Sequence, residues 1–291
     1  MKRLVIFIAS LMLIISSKAQ KTYQWGGKTY TLQLGEEGKK IATLDKESVI
    51  DTSIFECIYY HLSSDPVLNE SREEYDILLA GRKYAKYMNY EAFAFDSVLN
   101  YYDRDKITIE DYLLLSYQYP SRDYSYIIKE SSGRNEIHDN VYINYFTYED
   151  NDLAFGWALL NDTLTVCGHL CHMATCKFRG RDWTAWYAED IPSNQGPWKF
   201  SGTPGMILQI EDSEREHVFR ATSIRSGKSA IKLVHSLESK TNREWFNKAL
   251  RDYMTDPTGT QQTSGVEVKV INGTDNRIRQ RRRFFNPIEK E

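Results

Sequence analysis

Between Cys167 and Cys176 the chain sets three cysteines and two histidines within ten residues: Cys167, His169, Cys171, His172 and Cys176. Thiolate and imidazole are the donors that a tetrahedral zinc takes. The spacing opposes convergence, because on a strand positions 167, 169 and 171 share one face while 172 and 176 share the other. No metal set is therefore assigned. Disulfides are the expected fate of these thiols in an oxidising compartment, and four cysteines allow three complete pairings. The preferred one joins Cys171 to Cys176 across a tight loop and Cys57 to Cys167, tying an early strand to the central one.

Other chemistry is sparse. There is no G-x-S-x-G, and the six histidines (61, 138, 169, 172, 217 and 235) show no ordered triad spacing. Glu189 with Asp190, and Glu211 with Asp212, are paired acids of the type used in glycoside hydrolysis, but neighbours on a strand point to opposite faces. No catalytic residue is assigned. The aromatic set Trp183, Trp186, Tyr187, Trp198 and Phe200 serves core packing or lines a groove for an apolar or extended ligand. Arg179 and Arg181, either side of Gly180, have the fork geometry to hold a carboxylate. These seven residues form the candidate ligand-binding set.

The elements that must position them are mostly strands. Twenty of the 291 residues are tyrosine and 41% are hydrophobic, a composition that suits an aromatic, β-rich globular core. A formal charge of −3 argues against nucleic acid as a partner. Lys2 and Arg3, an apolar run over 4–15 and the small residues ending at Ala19 have the order of a secretory signal, giving an exported chain in the periplasm or on the outer-membrane surface. Cleavage there removes Lys2, Arg3 and Lys18 and takes the formal charge from −3 to −6. No transmembrane segment is expected in the mature chain, since no later stretch has the roughly 20 apolar residues of a spanning helix.

Residues 20–53 read as a loose arm or edge strand, 54–255 as one β domain and 256–291 as a polar, basic tail carrying Arg277, Arg279 and Arg281 to Arg283. Strands are expected over 54–62, 124–128, 141–148, 154–160 and 206–210, with a hairpin about Ala80-Gly81-Arg82. A helix over 109–119 opens on Glu110 and Asp111 and stops at Pro120. Another begins at Thr241 or Asn242 and carries Trp245, Phe246, Ala249, Leu250 and Tyr253 on one face. Strands with short turns and few helices point to an antiparallel sheet.

The segment Gly202-Thr203-Pro204-Gly205-Met206-Ile207 resembles the hexapeptide that gives its name to the GLPGLI family, exported proteins of Bacteroidota. The resemblance extends through Gly168, Cys171, Ala174, Phe178-Arg179-Gly180-Arg181, Trp183, Ala185-Trp186-Tyr187, Ile191-Pro192 and Gly196-Pro197-Trp198-Lys199-Phe200. Upstream it includes 79–87 and Asp96-Ser97, and Asn286-Pro287-Ile288-Glu289 is similar to the family's ending. Gly202, Pro204, Gly205 and Ile207 keep the signature; Thr203 and Met206 stand where leucines are usual. Met for Leu conserves volume, whereas Thr203 brings a hydroxyl to an apolar position. The stretch from Gly168 to Trp186 is also similar to a hairpin of periplasmic lipoprotein carriers. That likeness implies a curved antiparallel sheet or half-barrel, mainly β, with a few short helices on the concave side.

The family's function is unknown, so the resemblance implies compartment and fold rather than activity. The expected function is a non-enzymatic binding or assembly protein with a groove for an apolar or peptide ligand, a lipid or an envelope protein. The alternatives are a hydrolase of envelope polymers working through Glu189, Asp190 or the His-Cys cluster, and a structural component of an envelope complex. No cofactor is implied.

Overall fold

The structure, a computed structural model, describes residues 21–25, 28–32, 35–121, 123–151, 153–257 and 283–290. The expected signal segment and most of the basic tail lie outside the described residues. In chain order the elements begin with β1 (Lys21–Trp25), β2 (Lys28–Leu32), α1 (Gly35–Gly38) and β3 (Lys46–Thr52). A first meander follows: β4 (Phe55–Asp65), β5 (Glu70–Ala80), β6 (Tyr84–Asn89), helices α2 (Tyr90–Leu99) and α3 (Ile109–Gln118), then β7 (Tyr126–Glu130), β8 (Asn135–Val141) and β9 (Asn144–Glu149). The second comprises β10 (Ala158–Val166), β11 (His169–Phe178), β12 (Arg181–Ala188), β13 (Met206–Asp212) and β14 (His217–Ser226). Finally come β15 (Ala230–His235), β16 (Ser239–Lys240) and α4 (Arg243–Thr255).

Twelve strands form one sheet in the order β10-β11-β12-β13-β14-β4-β5-β6-β7-β8-β9-β16. Both meanders are antiparallel; only the short β16–β9 pair is parallel. The last strand of the second meander pairs with the first strand of the first, Phe219 opposite His61. The chain therefore passes directly from one end of the double meander to the other, between β9 and β10. Laid flat, those strands would stand about 48 Å apart at ~4.8 Å per strand. Nine peptide steps from Glu149 to Ala158 reach at most about 32 Å. The sheet must curl, and it does so without closing into a barrel. This is the mainly β, curved antiparallel architecture with a few short helices expected from the sequence.

Alternation along the strands gives each face its own contents. The inner face carries Cys57, Tyr59 and His61 of β4 opposite Leu78, Asp76 and Glu74 of β5, followed by Tyr87, Ile127, Ile137 and Asp139. Its core includes Trp183, Ala185, Ile210 and Phe219, and α4 docks on it through Phe246 and Tyr253. On the outer face Ile77 and Leu79 pack with Ile231 of β15, whose partner strand is β3, and Phe95 and Leu99 of α2 join Ile107 and Leu115.

The hairpin at Gly81, the strands through Cys171, Trp183 and Ile210, and helices α3 and α4 stand where the sequence places them. Caps explain the helices: Thr108 accepts from the Asp111 N–H and Asn242 from the Trp245 N–H. Three details differ. Helix α2 falls where no helix is expected; Asn89 caps it, and Ala92, Phe95 and Leu99 are its buried stripe. The single strand expected over 141–148 is the end of one strand and most of the next, turned at residues 142–143. The strand expected at 154–160 begins only at Ala158 because the preceding residues form the crossover between sheet ends.

Candidate functional site

A cavity of about 220 Å³ lies on the inner face, walled by the sheet, α4 and residues 285–289 near the C-terminus. The strand register brings together groups far apart in sequence. His61 lies 3.3 Å from Asp76 and 3.4 Å from Glu74, and the Tyr87 hydroxyl donates to Asp76. Burial alone would favour neutral His61, but hydrogen bonds to and charges on Asp76 and Glu74 outweigh it and raise its pKa to about 9. Its other nitrogen meets His217 at 3.4 Å. Burial, together with the charge on His61, holds His217 well below the ordinary histidine range, so the charged ring donates and the neutral one accepts.

Asp123 and Asp139 enter the cavity from other elements. Asp139 accepts from the Asn140 backbone N–H and Asp123 from that of Ser125, at 2.6 and 2.7 Å. Neither forms an ion pair among the described residues. Burial, reinforced by the charge on Asp123, pushes the Asp139 carboxyl up to about 8, while Asp123 itself is exposed. The rings of Tyr148, Trp198 and Phe246 also line the cavity, Tyr148 from the strand next to that of Asp139. Trp198 is held in the left-handed region, φ 48°, an unusual conformation for a bulky residue that the packing around it must enforce.

Of the seven sequence-designated ligand residues, Trp198 lines this cavity. Trp183, Tyr187 and Phe200 are buried core and Trp186 is half-buried against it. The arginines grip the protein's own chain. Arg179 makes a two-pronged contact with Asp150, 2.6 Å on each arm, and reaches Glu289 at 2.7 Å. Arg181, fully buried, uses all five N–H groups: on Asp212, Glu216, Asn286 and the carbonyls of Pro287 and Ile288. Lys199 completes the clamp on Asp150 and Glu289. Burial works against the Asp150 charge, yet the bonds and charges of Arg179 and Lys199 hold that carboxyl down at about 2. The segment Asn286-Pro287-Ile288-Glu289 is thus strapped down beside the cavity, with Pro287, Ile288 and Glu289 in its wall.

The hexapeptide shapes this region through its backbone. Gly202 has φ +90°, and a Cβ at Gly205 would lie 2.0 Å from the Ala188 carbonyl oxygen. The Thr203 hydroxyl, unexpected at an apolar position, is buried and donates to the Gly205 carbonyl at 2.7 Å. Met206 and Ile207 are fully buried, while Pro204 is exposed. Lys129, also buried, donates to the Gly196 and Phe200 carbonyls and fixes the preceding loop.

The disulfide expectation is corrected: all four cysteines are free. Cys171 and Cys176 share the uninterrupted strand β11, five positions or roughly 16 Å apart, and an odd spacing turns them to opposite faces. Cys57 is buried on β4, and Cys167 at the β10–β11 turn donates to the Ala221 carbonyl instead of bonding it. His169 pairs with Asp190 at 2.7 Å beside Cys171, but burial pushes the Cys171 thiol up to about 11, opposite to the activation a nucleophile needs. The adjacent acid Glu189 is exposed on the turn after β12.

Sequence reasoning did not designate His61, Asp76, Tyr87, Asp123 or Asp139. Four lie on separate strands and Asp123 on the segment before β7, and only the fold makes them neighbours.

Fold and site define a protein with a curved open antiparallel sheet and a small polar-aromatic cavity beside a C-terminal strap. A family model described as "Protein of unknown function (Porph_ging)" matches residues 173–209, from the middle of β11 into β13. Comparison with curated proteins returns no match. Among solved structures, PNGF-II is similar in its P21 crystal form at 12% identity and TM-score 0.46, and in its C2 form at 11% and 0.47. Each likeness covers 67% of this chain and 32% of the other, so the chain spans about a third of those structures' length.

Proposed function

We propose that the chain is an exported, non-enzymatic binding protein of the GLPGLI type, acting in the periplasm or on the outer-membrane surface, and that its ligand occupies the inner-face cavity. The observation that carries this reading is the cavity itself. It is partly enclosed, apolar over much of its wall, and receives a few inward polar groups, the usual composition of a small-ligand site. At about 220 Å³ it suits a small molecule or one side chain of a peptide better than a long lipid. The order of residues at the N-terminus and the motifs from Ile54 to Ile224 support the compartment and the family.

Native mass spectrometry of the full chain recovered from its exporting host tests the reading. A co-purifying mass is expected, and Leu250→Trp, which fills the cavity from α4, should abolish it. Recovery of the bare chain alone from both proteins would overturn the proposal.

A further inference from the structure

Which ligand fits follows from the charges around the cavity, counted element by element. From the sheet come His61, Glu74, Asp76 and Asp139; from the segment before β7, Asp123; from the loop after β12, Lys199; from α4, Arg251; and from the strap, Glu289. Most are matched. His61 lies between Glu74 and Asp76, and Lys199 and Arg179 share Glu289 and Asp150. Arg251 is solvent-exposed on α4. The two carboxyls left over are Asp123 and Asp139, each bonded to one backbone N–H, with no cation within ion-pairing distance among the described residues.

Aromatic rings share the cavity wall with these carboxyls, and ring faces attract cations. This wall already holds one: the Lys199 ammonium sits 4.8 Å from the centroid of Trp198 and 5.6 Å from that of Tyr148. A metal ion fits less well. Among the described residues the one trio of His, Cys, Asp or Glu close enough to share an ion is Asp212, Glu214 and Glu216, away from the cavity and engaged by Arg181 and Lys290.

We propose that the ligand is a small organic cation, an ammonium or guanidinium group on an apolar body, with the charge at Asp123 and Asp139 and the body against Trp198 and Phe246. This rests on the reading of the cavity as a ligand site. Both carboxyls line the space a ligand would fill, and among the described residues no cation lies within ion-pairing distance of either, the charges of Lys199 and His61 acting on them only from further off. Binding would supply the missing charge.

The test is calorimetric titration of the full chain at pH 8 with three probes of one shape: phenethylammonium, 2-phenylethanol and 3-phenylpropionate. The ammonium should bind at least about tenfold more tightly than the alcohol, the gain of a charge-assisted contact over a neutral one, and the carboxylate most weakly. Asp123→Asn with Asp139→Asn should bring ammonium and alcohol within about twofold of each other. Leu250→Trp should remove binding of all three. Alcohol or carboxylate binding as tightly as the ammonium overturns the cationic assignment and leaves the cavity reading standing. Absence of binding by all three probes overturns the cavity reading and the assignment with it.

Discussion

Asp139 offers a direct electrostatic measurement at the scale of one residue. Its folded pKa, about 8, lies above the ordinary 3.8, so the folded state keeps a proton that the unfolded state releases, and stability falls as pH rises between those values. His61 acts in the same direction: raised from 6.5 to about 9, its contribution is complete below 6.5 and lost as pH rises through 9. The melting temperature should therefore decline from pH 6 to pH 9. Asp139→Asn removes one such cause and should stabilise the chain by about 2 kcal/mol at pH 8, with no gain at pH 4, a figure held below the full shift because the carboxyl faces a cavity open to water. Parallel pH profiles for the two proteins would contradict this placement of Asp139. The free thiols give a second residue-scale prediction. In non-reducing denaturant all four cysteines should take an alkylating reagent, whereas in the folded chain Cys167 alone is exposed and should react first. A mass short of four adducts after denaturation would restore a disulfide.

At the scale of elements, the signature joins β12 to β13 through backbone geometry, and two of its buried positions, Gly205 and Thr203, predict losses of different size. Gly205→Ala drives a Cβ into the Ala188 carbonyl with no flexible side chain to yield, so soluble folded protein should fall sharply. Thr203→Val keeps the shape and loses one hydrogen bond to the Gly205 carbonyl, a change of about 1–2 kcal/mol read as a modest drop in melting temperature. Equal behaviour of the two variants would show that the hydroxyl matters as much as the close approach. What could be read from the sequence at this scale was local. Gly81 marks a turn, Glu110, Asp111 and Pro120 bound a helix, and Asn242 marks a cap. The β8–β9 turn escaped because Tyr142, not glycine, takes its left-handed position, φ 58°. Helix α2 escaped because its aromatic composition resembles a strand's, although Asn89 and the buried spacing of Ala92, Phe95 and Leu99 carried the helical signal. The arginines at 179 and 181 were legible as carboxylate binders by type; their partners come from distant parts of the chain and so were not.

At the scale of the whole molecule, the double meander turns ends of the chain into parts of one cavity. Because β14 returns beside β4, His61 and Phe219 face each other across 158 positions of sequence, and Asp139 arrives from the far half of the first meander. No periodicity or motif encodes such neighbours; only pairing order does. The strap then completes the arrangement, with Arg181 holding carbonyls of residues more than a hundred positions downstream. No helix among the described residues is long and apolar enough to cross a membrane, and the sheet's inner face is committed to this core and cavity. The most direct test of the ligand-site claim is an electron-density map of the full chain as recovered from its native host. Connected non-protein density in the cavity, in contact with Asp139 and Trp198, is the predicted result; a cavity filled by water alone, or closed by α4, would contradict it.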